Sequence, residues 1–370
     1  MKSDVELRRT RSGADTLHGL SNAGNLVPSP FWGVGWAELG FVQPTSGSVM
    51  KLYTFRANGP ERVGAATDDG DIVDLALASR NAPYFADMMA LIEGGDAALE
   101  EARAIVAAPP SGSVQTIDSL TLAAPIPRPR KIRGFSVFEA HLKQSAEGAA
   151  RRLAAAEADP EAAYVQIRKA LNLEAYPPAG WYETPAYYYM DHDTVVGHDS
   201  QVTWPAYSDW IDFELEIAAV IGRTGRDVAH EEARGHIFGY SIINDLSARD
   251  AQLKGMATGL GWGKGKDFDG SNPMGPCIVT ADEIEDPYSL SVRVLVNGDQ
   301  WSSSVGESAQ YSFDECIAFA SQAQTIHAGE IISTGTLPSC SSLELMRTVR
   351  RGDTIELEVT GIGTLRSRIK

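Results

Sequence analysis

The stretch DFELEIAAVIG, residues 212–222, opens with a strict alternation of acidic and apolar side chains. In an extended strand, side chains two apart share a face, so Asp212, Glu214 and Glu216 point one way and Phe213, Leu215 and Ile217 the other. Three acids on one side of an otherwise apolar strand repel one another and resist burial. A divalent cation among them removes the conflict, because Mg²⁺ and Ca²⁺ prefer carboxylate oxygen and water. Downstream, Asp245 closes the strand-like run GYSIIND, and NDLSARD follows through to Asp250. If the chain then turns helical, Arg249 and Gln252 fall four and seven residues after Asp245, on one helical face. A metal ligand, an anion clamp and a hydrogen-bond donor would then converge. A plain salt bridge from Arg249 to Asp245 or Asp250 is the alternative. The pattern predicts a metal-assisted enzyme.

Composition narrows the field. The chain has 370 residues and a formal net charge of −17, enough length for one large domain plus a smaller one. The negative charge argues against general attraction to nucleic acid or to anionic membrane. Cys277, Cys316 and Cys340 form no CxxC pair, so neither a disulfide framework nor a zinc knuckle is expected, and a reducing, cytoplasmic setting fits. No apolar run approaches the ~20 residues of a membrane helix. Residues 1–49 are rich in glycine, proline and serine without periodicity. They are expected to be an extension outside the core fold, the rival reading being a docking arm anchored by Phe31, Trp32 and Trp36.

Beyond Met50 the strand candidates KLYTF, RVGAAT and DIVDLA are separated by the turn-forming NGPE and DDGD. Helices are expected around Tyr84–Glu93 and Ala97–Ala107. The reading is a small α+β domain over residues 50–124, with PIPRPRK as a stiff connector. His141 to Asn172, rich in alanine and charge, predicts helix interrupted at Pro160, within a helical cap over about 142–175. From Thr194 strands prevail, with helices near His230–Phe238 and Phe313–Gln324, and Asn297-Gly298 marks a hairpin. The second domain, residues 125–370, is therefore mainly β, a curved sheet or sandwich.

Familiar motifs fail on inspection. Lys264 is followed by Gly265 and Lys266 by Asp267, so GLGWGKGKDFDG is no phosphate-binding loop. HEEARGH has Arg234 where a zinc-protease helix needs its second histidine. His141, taken alone, is one of seven histidines.

In order along the chain, RKIRGFSVFEAHL, WYETPAYYYM, DFELEIAAVIG, GYSIINDLSARDAQ, GKGKDFDGSNPMGP, EIISTGT, LEL and GIGTLRSRI resemble the fumarylacetoacetate hydrolase family from Met50 to Lys370. That resemblance implies a mixed β-sandwich-and-roll catalytic domain behind a small lead domain, usually as a homodimer. It implies Mg²⁺ (or Mn²⁺, Ca²⁺) held by Glu214, Glu216 and Asp245, with His141 as catalytic histidine and Glu344 as the acid that orients it. Lys266, Arg249, Gln252, Tyr188 and Thr336 match positions that bind substrate or stabilise developing negative charge. The expected activity is hydrolysis of a C–C bond in a small anionic β-diketone or acylpyruvate-type acid by His-activated water. Decarboxylation or keto–enol tautomerisation of a 2-oxo acid on the same scaffold is the alternative, and a non-hydrolytic metabolite binder is a further one.

Two positions depart from the pattern. Gly134 stands where part of the family carries an aspartate that serves as a fourth metal ligand, so Gly134→Asp is predicted to tighten Mg²⁺ if the position faces the ion. Gln144 stands where many relatives have glutamate, which leaves Glu344 as the partner of His141.

Overall fold

The computed structural model describes residues 49–370. All but the last residue of the expected extension, with Phe31, Trp32 and Trp36, lies outside the described residues.

The lead segment contributes β1 (Lys51–Arg56), β2 (Arg62–Ala66), β3 (Ile72–Asp74) and α1 (Met88–Ala107). Helix α1 joins the two expected helices, and Gly95, at φ +56°, breaks the helical path between them. Asp87 caps its start by accepting from the Ala90 amide at 2.8 Å.

Next come β4 (Ile132–Phe135), the cap helices α2 (Glu139–Ala154) and α3 (Pro160–Ala170), and β5 (Tyr187–Met190). The helix before it stops at Ala154, and Pro160 begins the next, as its fixed φ and missing N–H favour at a first helical position. Then follow β6 (Leu215–Ile221), β7 (Ile237–Asn244), α4 (Arg249–Ala257) and β8 (Asn272–Thr280). The helix expected over His230–Phe238 shrinks to one turn at His230–Ala233, because the apolar run from Ile237 is drawn into β7. The last elements are β9 (Ser291–Val296), β10 (Asp299–Val305), α5 (Phe313–Ser321), β11 (Ile331–Ser333), β12 (Thr354–Val359) and β13 (Gly363–Ile369). Asn297 and Gly298, both at positive φ, turn β9 into β10 as their sequence predicts.

One large sheet runs in the order β3-β2-β1-β8-β7-β6-β11-β4-β5. Strand β1 pairs with β8 through Lys51↔Val279 and Leu52↔Ile278, so the lead segment shares a sheet with the strands that carry the acids. A second sheet, β10-β9-β12-β13 with Ser200–Val202 at its edge, completes the sandwich. Strand β6 shows how the layers divide. Ala218 and Val220 join the apolar cluster under α1, while Ile217, Ala219 and Ile221 join the cluster shared with β9, β12 and α5. Both faces of the strand are covered, which is why all seven of its residues are buried. The mainly-β, mixed-layer architecture agrees with the sequence reading.

Candidate active site

The face of β6 that carries Ala218 and Val220 also carries Glu216, and Glu214 precedes it on the same parity. Asp245 directly follows β7, the neighbour of β6, and its amide donates to the Glu214 carbonyl at 3.0 Å. One carboxylate oxygen each from Glu214, Glu216 and Asp245 lies within 4.8 Å of the others, all three residues being buried.

Asp212 does not join them. Ile211–Asp212 leaves the β6 ladder and pairs with Ser247–Ala248. There Asp212 accepts from the Ser342 amide at 2.7 Å and from Arg249 Nε at 2.8 Å. Alternation put Asp212 on the right face, but the break in the strand carried it away from the other two. Arg249 likewise pairs with neither Asp245 nor Asp250. Its guanidinium bridges Asp212 and Glu214, both at 2.6 Å, and donates to Gln252 Oε1 at 3.0 Å. Lys266 Nζ bridges Glu214 Oε2 and Asp245 Oδ2, each at 2.5 Å.

Burial raises the cost of every charge here, and the outcome differs by neighbour. For Glu214, burial works against ionisation, but Arg249 and Lys266 outweigh it and hold the carboxyl well below the ordinary carboxylate range. Glu216 has no direct ion pair, and Lys266 relieves it only from a distance. Burial, then the charges of Asp245 and Glu214, push it well above its ordinary value, although Ser333 donates to it at 2.5 Å. Asp245 is also pushed up, by burial and by Glu214 against the relief from Lys266. Its Oδ1 is buried with no hydrogen-bond partner. Three converging carboxylates, two of them resisting ionisation, and an orphaned oxygen make a hard-oxygen donor set that fits a divalent cation.

His141 stands in the first turn of α2 with Nε2 3.8 Å from Glu214 Oε1 and Nδ1 3.0 Å from Glu344 Oε1. Burial opposes its protonation, but the Glu344 carboxylate prevails and holds its pKa above the ordinary histidine value. Glu344 is fixed in turn by Ser341, whose amide and hydroxyl donate to Oε2 at 2.9 and 2.8 Å, and by the Ser339 amide at 3.1 Å. The Glu344 amide donates back to Ser341 Oγ at 3.3 Å. This is capping-box reciprocity, and its S-x-x-E spacing is plain in Ser341-Ser342-Leu343-Glu344. Reading that spacing would have singled out Ser341. Gln144, the other departure, accepts from Ser339 Oγ at 3.1 Å and so braces the same loop.

The antiparallel register Gly134↔Tyr188 settles which of the three adjacent tyrosines faces the acids. Tyr188 donates to Asp245 Oδ2 at 2.5 Å. Tyr187 and Tyr189 take the opposite face, over the buried Arg133, which is paired with Glu330 at 2.5 Å. Gly134 makes room for its neighbours: a Cβ would lie 2.9 Å from Tyr188 Cε1 and 3.0 Å from Met190 Sδ, so both side chains would have to shift. All of the predicted residues except Glu344 line one cavity, and Glu344 stands behind His141. Thr336 is on its wall, without a side-chain partner that fixes its role.

Comparisons with known proteins give the family. The family model described as fumarylacetoacetate (FAA) hydrolase C-terminal matches residues 161–370. The chain belongs to the fumarylacetoacetate hydrolase family. Among relatives, "Oxaloacetate tautomerase fahd2, mitochondrial" of Xenopus laevis is 28% identical over 322 residues, covering 85% of this chain and 89% of that protein. "Oxaloacetate tautomerase YisK" of Bacillus subtilis (strain 168) is 34% identical over 189 residues, covering 50% of this chain and 62% of that protein. The solved fumarylacetoacetate hydrolase from psychrophilic Exiguobacterium antarcticum superposes with a TM-score of 0.65 at 26% identity, over 87% of this chain and 99% of that one. Family members thus include both hydrolases and tautomerases by name. No described helix is long and apolar enough to cross a membrane.

Proposed function

We propose that the protein interconverts the keto and enol forms of a 2-oxo acid, with Glu214, Glu216 and Asp245 holding a divalent cation. The observation that carries this reading is His141. Its Nε2 is turned toward the carboxylate cluster, while its Nδ1 is held by Glu344. When bound, the cation supplies Lewis acidity and a template for the acid's oxygens. His141 Nε2 takes a proton from the carbon beside the oxo group; the C–H electron pair becomes the new carbon–carbon π bond, and the C=O π pair moves onto the oxygen. Lys266 offers an ammonium against the developing oxyanion. The proton on Nε2 then returns to oxygen or carbon, so no atom is gained or lost. Glu344 keeps the imidazole oriented and stabilises its protonated form.

Support for tautomerisation over C–C hydrolysis comes from the relatives so named, one of which matches nearly the whole described chain. The hydrolytic reading keeps one observation in its favour, since a His–Glu pair also suits activation of water. The test is to load the protein with Mg²⁺ or Mn²⁺ and follow decay of enol-oxaloacetate and enol-phenylpyruvate by ultraviolet absorbance. A parallel assay measures pyruvate release from acetylpyruvate. Cation-dependent enol decay without pyruvate release is the expected result; the reverse pattern selects the hydrolase.

A further inference from the structure

We infer that the cavity takes 2-oxo acids bearing an apolar tail in place of a second, distal carboxylate, an inference that rests on the enolising centre proposed above. The cavity measures about 340 Å³, a volume typical of sites for drug-sized ligands, so a four-carbon acid would fill only its acidic end. Two helices draw its long axis. On α2, His141, Ser145, Ala146 and Ala149 share one face, which extends about 12 Å from His141 at 1.5 Å per residue. On α4, Arg249, Gln252, Leu253 and Met256 do the same over about 10 Å. In both helices the ionisable group stands in the first turn and the lining ends in an apolar residue.

Among the described lining residues the cationic groups are Arg249, Lys266 and His141, and each is already engaged at the acidic end. Leu171 and Leu173 also line it, and Leu171 and Met256 remain 50% and 45% exposed at its rim. A distal carboxylate held between the apolar walls, beside Leu142, Ala149 and Leu253, meets no lining cation to replace the hydration it gives up. Methylenes there gain about fourfold in affinity for each one buried.

The test uses dead-end oxamates, in which an amide nitrogen replaces the enolisable carbon, titrated calorimetrically into the Mg²⁺-loaded full chain. Affinity should climb about fourfold per buried methylene from N-methyl- to N-pentyloxamate. N-(4-carboxybutyl)oxamate, nearly the same length, should bind at least tenfold more weakly than N-pentyloxamate. Leu171→Arg, at the exposed rim, should narrow or reverse that preference. A flat alkyl series, or a carboxybutyl analogue that binds as well as the pentyl one, overturns the inference. Failure of the function proposal is distinct: the oxamate preference would hold, yet no 2-oxo acid would be enolised.

Discussion

The floor and the wall of this cavity are made of different material. The floor belongs to β6, β7 and the segment after it, all buried, with carboxylates locked by Arg249, Lys266, Ser333 and Tyr188. The wall is the alanine-rich α2, with the leucines after α3. Its hydrogen bonds lie mostly on its outer side, as in Tyr164 to Glu147 and Arg152 to Thr348. Charges that must be placed to a fraction of an ångström are set in a doubly covered sheet. Small apolar contacts, which tolerate exchange, are left to helices at the surface. On the proposed function, chemistry belongs to the floor and selection to the wall.

The sharpest way to break that division is to remove a floor carboxylate. Asp245→Asn should abolish calorimetric Mg²⁺ binding and lower turnover on the order of 1000-fold or more. Glu216 offers a reading without any ligand. Because burial and its acidic neighbours raise its folded pKa above the unfolded value, it stabilises the metal-free fold at acid pH. That contribution is lost as pH rises through the raised value. Thermal melts of chelator-treated protein should therefore fall with pH in that window, and Glu216→Gln should flatten the slope.

His141→Ala removes the one group of the wall that does floor work. Turnover should drop about 100- to 10,000-fold with Mg²⁺ affinity retained, as measured by steady-state kinetics beside calorimetry. Glu344→Gln sharpens the same point more gently. The histidine pKa in the metal-free protein, followed by NMR, should sit above the ordinary value and fall in the variant, because the Glu344 charge is what overcomes burial. Smallest is Gly134→Asp. The sequence reading predicts tighter Mg²⁺ if the position faces the ion, but a new Cβ there crowds the side chains of Tyr188 and Met190. Stability should fall by about 1–3 kcal/mol in denaturant unfolding, with no gain in metal affinity.

The sequence made the floor more legible than the wall. Acid–apolar alternation and the strand before Asp245 are short-range signals, and they led to Glu214, Glu216 and Asp245. Asp212 defeated the same logic, because alternation assigns a face and says nothing of a strand that stops at Phe213. Pairing decided the tyrosines: only the register Gly134↔Tyr188, set across 54 residues, separates Tyr188 from its two neighbours. The partners of Arg249 were hidden for the same reason, since Asp212 and Glu214 lie on another segment. Cap helices were legible from alanine and Pro160, whereas the cavity they wall depends on packing that no local pattern encodes.

Gly148, on α2, has a last consequence. A Cβ there would stand 2.5 Å from the Leu343 carbonyl oxygen, so helix and loop touch backbone to backbone one residue before Glu344. His141 and Glu344, the proposed base and the acid that would orient it, come from segments about 200 residues apart, yet they meet beside this close backbone contact. On the proposed mechanism, lifting α2 to admit a ligand would part His141 from Glu344. Passage in and out is thereby assigned to the other side of the mouth, where Leu171 and Met256 face solvent.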